Sequence, residues 1–257
     1  MTDPTHAADR FALVTGTSAG IGAAVAERLL ARDWTVIGVA RRGAALDHPR
    51  YRHAQLDLAD HERALPELDR MVIDALRSNA WSRIGLVNNA ATGGLLGSLE
   101  RVDAADLQRM LTVNVVAPVH LMGRFVAHTP AGAALRIVNL SSGAAKHAFP
   151  GLAAYAASKA ALRMAGMVLA SELASPVRTT PPPADRAIVS YEPGIVETDM
   201  QRGARSQSAD AFPWVRLFHD FAAQGRLVGP EEPAREIVEI LEQDGLPDFS
   251  ERRLGLS

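Results

Sequence analysis

Residues 15–22 read Thr15-Gly16-Thr17-Ser18-Ala19-Gly20-Ile21-Gly22 and separate a short apolar run, residues 10–15, from an alanine-rich amphipathic segment, residues 20–32. The three glycines let the backbone turn sharply and come close to a ligand. A glycine-rich turn that follows a strand and opens a helix presents free backbone N–H groups to a pyrophosphate. An ordinary tight turn is the alternative. The context predicts a strand–turn–helix unit with a dinucleotide phosphate site.

Apolar strands and helical segments alternate along the rest of the chain. The predicted strands are residues 10–15, 35–40, 51–58, 84–88, 135–140 and 187–191, and the predicted helices are residues 20–32, 62–79, 103–127 and 153–174. This alternation is typical of βαβ units with a parallel sheet buried on both faces. It predicts an α/β fold, a doubly wound (Rossmann) mostly parallel sheet with helices on both faces, which binds ligands at the carboxyl ends of its strands. We expect a loose tail in residues 1–9, a single domain in residues 10–257, and a surface loop at the prolines of residues 179–183.

Composition limits the classes of function. The 257 residues are 47% hydrophobic and 22% charged with a net charge of −2, so the chain is globular and lacks the basic excess of most nucleic-acid-binding proteins. The absence of cysteine excludes a disulfide framework, a cysteine-ligated zinc site and a cysteine nucleophile. The N-terminus shows no signal peptide and no run of 18 apolar residues is present, so we expect a cytoplasmic protein that does not span a membrane. His120, His128 and His147 lack the spacing of metal ligands, and no metal site is expected.

Two arginines follow the second predicted strand, where dinucleotide-binding folds commonly carry an acidic residue for the ribose 2′-hydroxyl of NAD. Arg41 and Arg42, here named the arginine pair, come directly after Ala40. A guanidinium at this position can form bidentate, charge-assisted hydrogen bonds with a 2′-phosphate. The pair therefore favours NADP(H). The alternative is two solvated loop arginines, in a chain where all basic residues except Lys146 and Lys159 are arginine.

Tyr155 and Lys159 lie four residues apart on a predicted helix, so both side chains project from one face. An ammonium group can bind a ribose hydroxyl and lower the pKa of a nearby phenol, which is otherwise a weak acid–base catalyst at neutral pH. Ser142 follows the predicted strand 135–140, at the sheet edge where this fold class carries its chemistry. Its hydroxyl can hold a substrate carbonyl beside the tyrosine. The three residues together predict a catalytic site.

These motifs resemble those of the short-chain dehydrogenase/reductase family over residues 10–243. The other matching motifs are Asp57-Leu58, Asn88-Asn89-Ala90, Asn114 and Pro193-Gly194-Ile195-Val196-Glu197-Thr198. The resemblance implies that Tyr155 transfers the proton, that Ser142 orients the carbonyl and that Lys159 binds the nicotinamide ribose. It also implies that Asn114 holds a water of the proton relay.

The resemblance further implies a binding site for NADP(H). Its expected residues are Gly16, Thr17, Ser18, Gly20, Ile21, Gly22, Arg41, Arg42, Asp57, Leu58, Asn89, Ala90, Tyr155, Lys159, Pro193, Gly194, Val196 and Thr198. In this arrangement Asp57 and Leu58 border the adenine, and residues 196–198 border the carboxamide and the phosphates.

Within the family, residues 191–201 and 224–228 look most like the sepiapterin reductase and benzil reductase branch. The tail, residues 249–254, lacks in matching context the pterin-anchoring aspartate of sepiapterin reductases. We therefore expect NADPH-dependent reduction of a ketone or diketone carbonyl. The alternatives are an NAD(P)-dependent alcohol dehydrogenase, a sepiapterin-type pterin reductase and a non-catalytic nucleotide-sensing protein. The last is disfavoured because Asn114, Ser142, Tyr155 and Lys159 are all present.

By the same resemblance, residues 197–228 form a lid segment over the substrate. Its pattern predicts that Trp214, Leu217, Phe218 and Phe221 share one helical face. Trp214 and Phe218 are candidate substrate contacts, and a helix docked on the core is the alternative. The resemblance also implies a homodimer or homotetramer, in which the helices of residues 103–127 and 153–174 pair with a second subunit.

Overall fold

The computed structural model describes residues 9–43, 46–94, 96–130, 132–178 and 182–256. Most of the predicted N-terminal tail and residues 179–181 of the proline loop lie outside this range. The strands are β1 (Arg10–Thr15), β2 (Thr35–Ala40), β3 (Tyr51–Gln55), β4 (Arg83–Asn88), β5 (Ala134–Leu140), β6 (Arg186–Glu192) and β7 (Phe249–Arg253). The helices are α1 (Gly20–Leu30), α2 (His61–Arg77), α3 (Ala104–Leu111), α4 (Ala117–His128), α5 (Ala153–Ala174), α6 (Asp199–Arg205), α7 (Val215–Ala223) and α8 (Glu231–Glu242).

All seven strands pair in parallel in one sheet, in the order β3-β2-β1-β4-β5-β6-β7. The chain runs outward from β1 to β3 and then returns to β4 on the other side of β1. A crevice for ligands opens at such a reversal, at the carboxyl ends of the strands. The predicted doubly wound fold is confirmed.

Side chains of successive strand residues alternate between the two faces of the sheet and enter two hydrophobic cores. From β1, Phe11 and Leu13 enter the core that includes residues of α2, α4 and α5, whereas Ala12 and Val14 enter the core that includes residues of α1 and α8. The helices of the lid segment belong to neither core. Their buried residues form a third cluster that comprises Ala204, Phe212, Val215 and Phe218, packed against Leu96 and Leu152.

The last strand, β7, is missing from the sequence prediction. Its sequence Phe-Ser-Glu-Arg-Arg is too polar to be recognised as a strand. As an edge strand it does not need two apolar faces. Its charged side chains are instead neutralised by ion pairs, since Glu251 contacts Lys146 and Arg163, and Arg253 lies 3.5 Å from Glu192.

A π-helical turn, Thr112–Val116, joins α3 and α4 into one continuous helix. By length and composition alone, this helix of residues 104–128 is apolar enough to cross a membrane, and it is the candidate of that kind within the described residues. Its inner face, with Leu121, Met122 and Phe125, is buried in the core of the fold. Its apolar character therefore has a packing explanation.

Candidate active site

The glycine-rich turn between β1 and α1 has the backbone geometry of an anion site. Gly16 and Gly20 adopt left-handed conformations with φ of +80° and +60°. Within the described residues, no side chain caps the N-terminus of α1, where Ala19 is the N-cap, and the first turn of this helix has no acidic residue. Its first N–H groups are therefore available to phosphate oxygens. These features fit the predicted pyrophosphate.

Asn89 supports this turn from β4. Its Nδ2 donates a hydrogen bond to the carbonyl oxygen of Thr15 at 2.8 Å and lies 2.5 Å from the point where a Cβ on Gly16 or Gly22 would stand. The backbone N–H groups of Asn89 and Ala90 both donate to Oγ1 of Thr15, at 3.0 and 2.9 Å. The side chain of Asn89 therefore positions the turn, and a larger residue at either glycine would displace it.

A hydrogen-bonded chain joins the turn to the arginine pair. The Tyr51 hydroxyl of β3 lies 3.1 Å from Oγ1 of Thr17 and 2.9 Å from Nδ1 of His53. Nε2 of His53 lies 3.0 Å from the carbonyl oxygen of Arg42, which can only accept, so this contact requires a proton on Nε2. Sequence reasoning missed Tyr51 and His53 because polar residues on a strand carry no motif.

The guanidinium of Arg42 reaches across the crevice. Its Nη2 lies 3.4 Å from Oγ of Ser18 in the glycine-rich turn and 3.4 Å from Oδ2 of Asp199, the first residue of α6. Next to Asp199, Cγ2 of Thr198 lies 3.5 Å from the position of a Cβ on Gly20. The base of the lid segment therefore contacts the two regions of the predicted NADP(H) site.

The two ends of the lid segment are joined to each other. Val196 and Val228 form an isolated parallel bridge, and the N–H of Glu197 donates to the carbonyl oxygen of Val228 at 3.0 Å. Gly194, just before this bridge, has a φ of +74° that suits glycine. Residues 193–198 therefore form the turn from which the lid segment begins.

Ser142, Tyr155 and Lys159 meet at the carboxyl end of β5. Ser142 follows this strand, and its hydroxyl is close enough to the half-buried Tyr155 of α5 to act on the pKa of the phenol. Nζ of Lys159 lies 5.7 Å from the centre of the Tyr155 ring and donates to the carbonyl oxygen of Leu140 at 2.7 Å. The structure brings the predicted set together.

Burial governs the protonation of this cluster. Desolvation raises the pKa of Tyr155 to about 12, and the hydrogen bond with Ser142 opposes this with a smaller effect. Desolvation also lowers the pKa of Lys159 to about 8. Desolvation is the larger of the two effects on Tyr155, and the effect of the Lys159 ammonium on the acidity of the phenol stays a prediction. At neutral pH the phenol keeps its proton and the ammonium its charge.

Asn114 lies in the π-helical turn and is 1% exposed. Its Oδ1 accepts from the N–H of Thr92 at 2.8 Å, while its Nδ2 donates to the carbonyl oxygen of Thr92 at 2.9 Å and to Oγ of Ser158 at 3.0 Å. Ser158 in turn donates to the carbonyl oxygen of Tyr155 at 2.7 Å. Asn114 thus connects the loop after β4 to the turn of α5 that carries Tyr155, the predicted proton donor. Ser158 was absent from the predicted site.

The residues of the predicted apolar face in the lid segment differ in exposure. Trp214 precedes α7 as its N-cap and is 36% exposed, whereas Phe218 is buried with its ring edge-on to Phe212 at a centroid distance of 5.5 Å. Leu217 is as exposed as Trp214. Phe218 packs in the third cluster and its ring lies 6.1 Å from that of Phe221, while the ring of Trp214 lies 6.2 Å from that of Phe212. Phe218 therefore stabilises the lid segment, and Trp214 stays a candidate for substrate contact.

The adenine motif lies at the end of β3. Asp57 accepts from the N–H of Ala59 at 3.0 Å and pairs with Arg109 at 3.3 Å, and Leu58 is buried in the core. Strand β3 ends at Gln55, three residues earlier than predicted, so this motif stands in the loop that follows it.

Two of the histidines have hydrogen-bonding partners within the protein. Nε2 of His120 lies 2.6 Å from Oδ1 of Asp69, and His53 belongs to the chain that supports Arg42. Across the described ranges, no group of three or more histidine, aspartate and glutamate side chains is arranged to hold a metal ion.

Comparisons with known proteins place these features in one family. Residues 10–209 match the family model described as short chain dehydrogenase. The chain is 30% identical over 249 residues to a benzil reductase ((S)-benzoin forming) of Bacillus cereus, a match that covers 93% of this chain and 96% of that protein. It is 31% identical over 250 residues to the sepiapterin reductase of Meriones unguiculatus, covering 90% and 91%.

A solved structure supports the same fold. A short-chain dehydrogenase/reductase of Saccharomyces cerevisiae matches with a TM-score of 0.80 and 24% identity over 96% of each chain. The resemblance to the benzil and sepiapterin reductases predicted from the motifs is confirmed by the relatives. The chain belongs to the short-chain dehydrogenase/reductase family of oxidoreductases.

Proposed function

We propose that the protein is an NADPH-dependent carbonyl reductase that acts on ketones or diketones. The observation that carries the proposal is the convergence of Ser142, Tyr155 and Lys159 at the crevice edge of the sheet, where Nζ of Lys159 lies 5.7 Å from the centre of the Tyr155 ring. NADPH, held by the glycine-rich turn and the arginine pair, would supply the hydride. The similarity to benzil reductases supports a diketone substrate.

In this proposal the protein's residues position the carbonyl and deliver a proton. The Ser142 hydroxyl donates a hydrogen bond to the carbonyl oxygen, and Tyr155 gives its phenolic proton to that oxygen as the alcohol forms. The ammonium of Lys159, held by the carbonyl oxygen of Leu140, stabilises the phenolate that remains. Asn114 acts as a positioning residue, since both of its amide hydrogens are used in bonds to Thr92 and Ser158. A relay water at Asn114 would bind its main-chain carbonyl.

Burial raises the pKa of Tyr155, so the phenol carries the proton that reduction requires. The same group is the base of the reverse reaction. The rates of reduction with NADPH and of oxidation with NADP⁺ therefore decide between a reductase and the alternative of an alcohol dehydrogenase.

The coenzyme choice follows from the end of β2. Arg41 and Arg42 are exposed there, and the guanidinium of Arg42 lies 3.4 Å from both Ser18 and Asp199. A 2′-phosphate would find two cations and no carboxylate in the residues that directly follow the strand.

The tail argues against a pterin substrate. Asp248 precedes β7 and pairs with Arg186, the first residue of β6, at 3.2 Å. In a parallel sheet this is the amino edge, opposite to the edge that carries Ser142. An aspartate at this position does not reach a pterin at the catalytic site.

The test is consumption of NADPH and of NADH with benzil, a short aliphatic diketone and sepiapterin. We expect turnover of the diketones with NADPH preferred. Preference for sepiapterin would overturn the substrate assignment, and preference for NADH would overturn the coenzyme assignment. Tight NADPH binding without turnover of any of the three would contradict the proposed substrate class.

We also propose that the protein is a homo-oligomer through the outer faces of α4 and α5. Val119 of α4 and Met164 and Val168 of α5 are 38%, 51% and 48% exposed, which is unusual for large apolar side chains on neighbouring helices. A second copy of the chain would cover them. Sedimentation of the wild type and of Met164→Asp tests this: we expect a dimer or tetramer that the substitution dissociates, and a monomeric wild type would contradict it.

A further inference from the structure

We propose that Asp199 of the lid segment is a coenzyme-selectivity residue that competes with the 2′-phosphate of NADP(H) for the guanidinium of Arg42, so that phosphate binding releases the lid segment from the arginine pair. This inference rests on the proposed function, because it requires Arg42 to bind the 2′-phosphate. It concerns a residue outside the predicted site.

Both hydrogens on Nη2 of Arg42 already have acceptors in this structure. Its Nη2 carries two hydrogens and lies 3.4 Å from both Oγ of Ser18 and Oδ2 of Asp199. A phosphate binds most strongly when it takes two N–H groups of a guanidinium in a fork. Such a fork that includes Nη2 has to displace one of the two partners. Of the two partners, Asp199 competes directly with the phosphate, because both are anions that bind the same cation.

Asp199 has a second partner that makes this displacement easy. Its Oδ1 accepts from Nη2 of Arg202, one turn along α6, at 2.6 Å. The hydrogen bond from Arg202 and then that from Arg42 lower the pKa of Asp199, so its carboxylate is charged at neutral pH. After losing Arg42 the carboxylate keeps Arg202, which also donates to Glu197 at 3.1 Å. The exchange leaves no isolated charge.

The contact is also a link between the arginine pair and the lid segment. Asp199 is the first residue of α6, and the neighbouring Thr198 lies over Gly20. The side chains of Arg42 and Asp199 are 67% and 61% exposed, so their contact is a weak surface pair that an incoming ligand can replace. Competition is reciprocal, so the pair weakens phosphate binding and the phosphate weakens the pair. NADH carries no 2′-phosphate and leaves the pair in place.

The experiment compares 2′,5′-ADP with 5′-AMP, two probes that differ only in the 2′-phosphate, by calorimetric titration. The proteins are the wild type, Asp199→Asn, Arg42→Ala and the double variant, with Asp210→Asn as the matched control. Asp210 is an exposed residue of the lid segment whose carboxylate has no ion-pair partner among the described residues. We expect Asp199→Asn to raise the affinity for 2′,5′-ADP about two- to five-fold, which is the range of a surface ion pair, and to leave the affinity for 5′-AMP unchanged. Asp210→Asn should change neither.

The Arg42→Ala background separates competition from simple repulsion. If Asp199 acts by occupying Arg42, Asp199→Asn has no effect once Arg42 is gone. An effect of Asp199→Asn that persists in this background means direct repulsion of the phosphate and overturns the proposal. No effect of Asp199→Asn in the wild-type background overturns it as well, while loss of 2′,5′-ADP binding in Arg42→Ala still upholds the coenzyme assignment. If Arg42→Ala binds 2′,5′-ADP as well as the wild type, the coenzyme role of Arg42 fails.

Hydrogen exchange tests the release of the lid segment. Amides of residues 199–205 should exchange faster in the wild type saturated with 2′,5′-ADP than with 5′-AMP, and Asp199→Asn should abolish this difference. Equal amide exchange rates with the two probes in the wild type would overturn the proposal that phosphate binding releases the lid segment. Unchanged melting temperatures of the variants establish that each is folded.

Discussion

The catalytic cluster and the base of the lid segment lie at the same edge of the sheet, yet they are held by different forces. Around Tyr155 the bonds are buried and involve main-chain or neutral groups, such as Lys159 to Leu140 and Asn114 to Thr92. Breaking such bonds leaves polar groups without partners and is costly. Between the base of the lid segment and the arginine pair the contact is a surface ion pair, which is worth little and is screened by salt. The fold thus holds the predicted catalytic residues more firmly than the predicted coenzyme contacts.

The largest expected effect comes from the buried side of this comparison. Tyr155→Phe removes the proton donor, and we expect kcat for benzil reduction to fall about 10²- to 10⁴-fold, the usual contribution of acid catalysis. NADPH affinity, measured by fluorescence titration, should change little because the ring is retained. A phenylalanine variant with the full wild-type rate would refute the assigned role.

The second-largest effect concerns the pH dependence of kcat/KM, which depends on the buried Lys159. Because burial lowers the pKa of Lys159 to about 8, its ammonium is charged below that pH and is lost above it. We expect kcat/KM for reduction to be constant near neutral pH and to decline above about pH 8, approaching ten-fold per pH unit. In Lys159→Arg the cation persists, so this decline should disappear even if the rate is lower. The same decline in Lys159→Arg would assign it to another group.

On the exposed surface, we expect NADPH binding at the arginine pair to depend on the charge of these residues and on the salt concentration. Arg41→Asp removes a cation at the 2′-phosphate position, and we expect NADPH binding to weaken about 10-fold or more, as for loss of one charged hydrogen bond. NADH binding should be unaffected, and the NADPH preference of the wild type should fall with salt while kcat at saturation does not. Arg77→Asp, at the exposed end of α2, is the control and should leave the preference intact. An unchanged preference in Arg41→Asp contradicts the assignment.

The smallest expected effect concerns the lid segment above both regions. Trp214→Ala should raise KM for benzil about two- to ten-fold, the worth of one aromatic contact, and should affect a short aliphatic diketone less. Leu217→Ala is the matched control, because Leu217 is equally exposed and lies in the first turn of α7, three residues after Trp214. Equal changes of KM for both substrates would indicate that Trp214 only holds the lid segment in place.

Much of the fold could be predicted because its signals are local. The apolar strands and the glycine-rich turn were identified within a few residues of their ends, since burial on two faces demands continuous apolar runs. β7 was missed because an edge strand is stabilised by partners far along the chain, such as Lys146 for Glu251. The unequal exposure of the residues on α7 could not be predicted, because it depends on packing against Leu96 and Leu152, which are distant in sequence.

The sequence by itself determined the doubly wound fold, the family, and which residues meet at the predicted catalytic site, because each is encoded in short motifs whose spacing carries the geometry. Only the tertiary structure decided how deeply those residues are buried, which partners they contact and how their pKa values shift. The raised pKa of Tyr155 depends on burial by distant segments, the Asn114–Ser158 bond joins residues 44 positions apart, and the contact of Arg42 with Asp199 spans 157 positions. Desolvation and long-range pairing depend on the packed neighbours of a residue, and local sequence does not specify these neighbours.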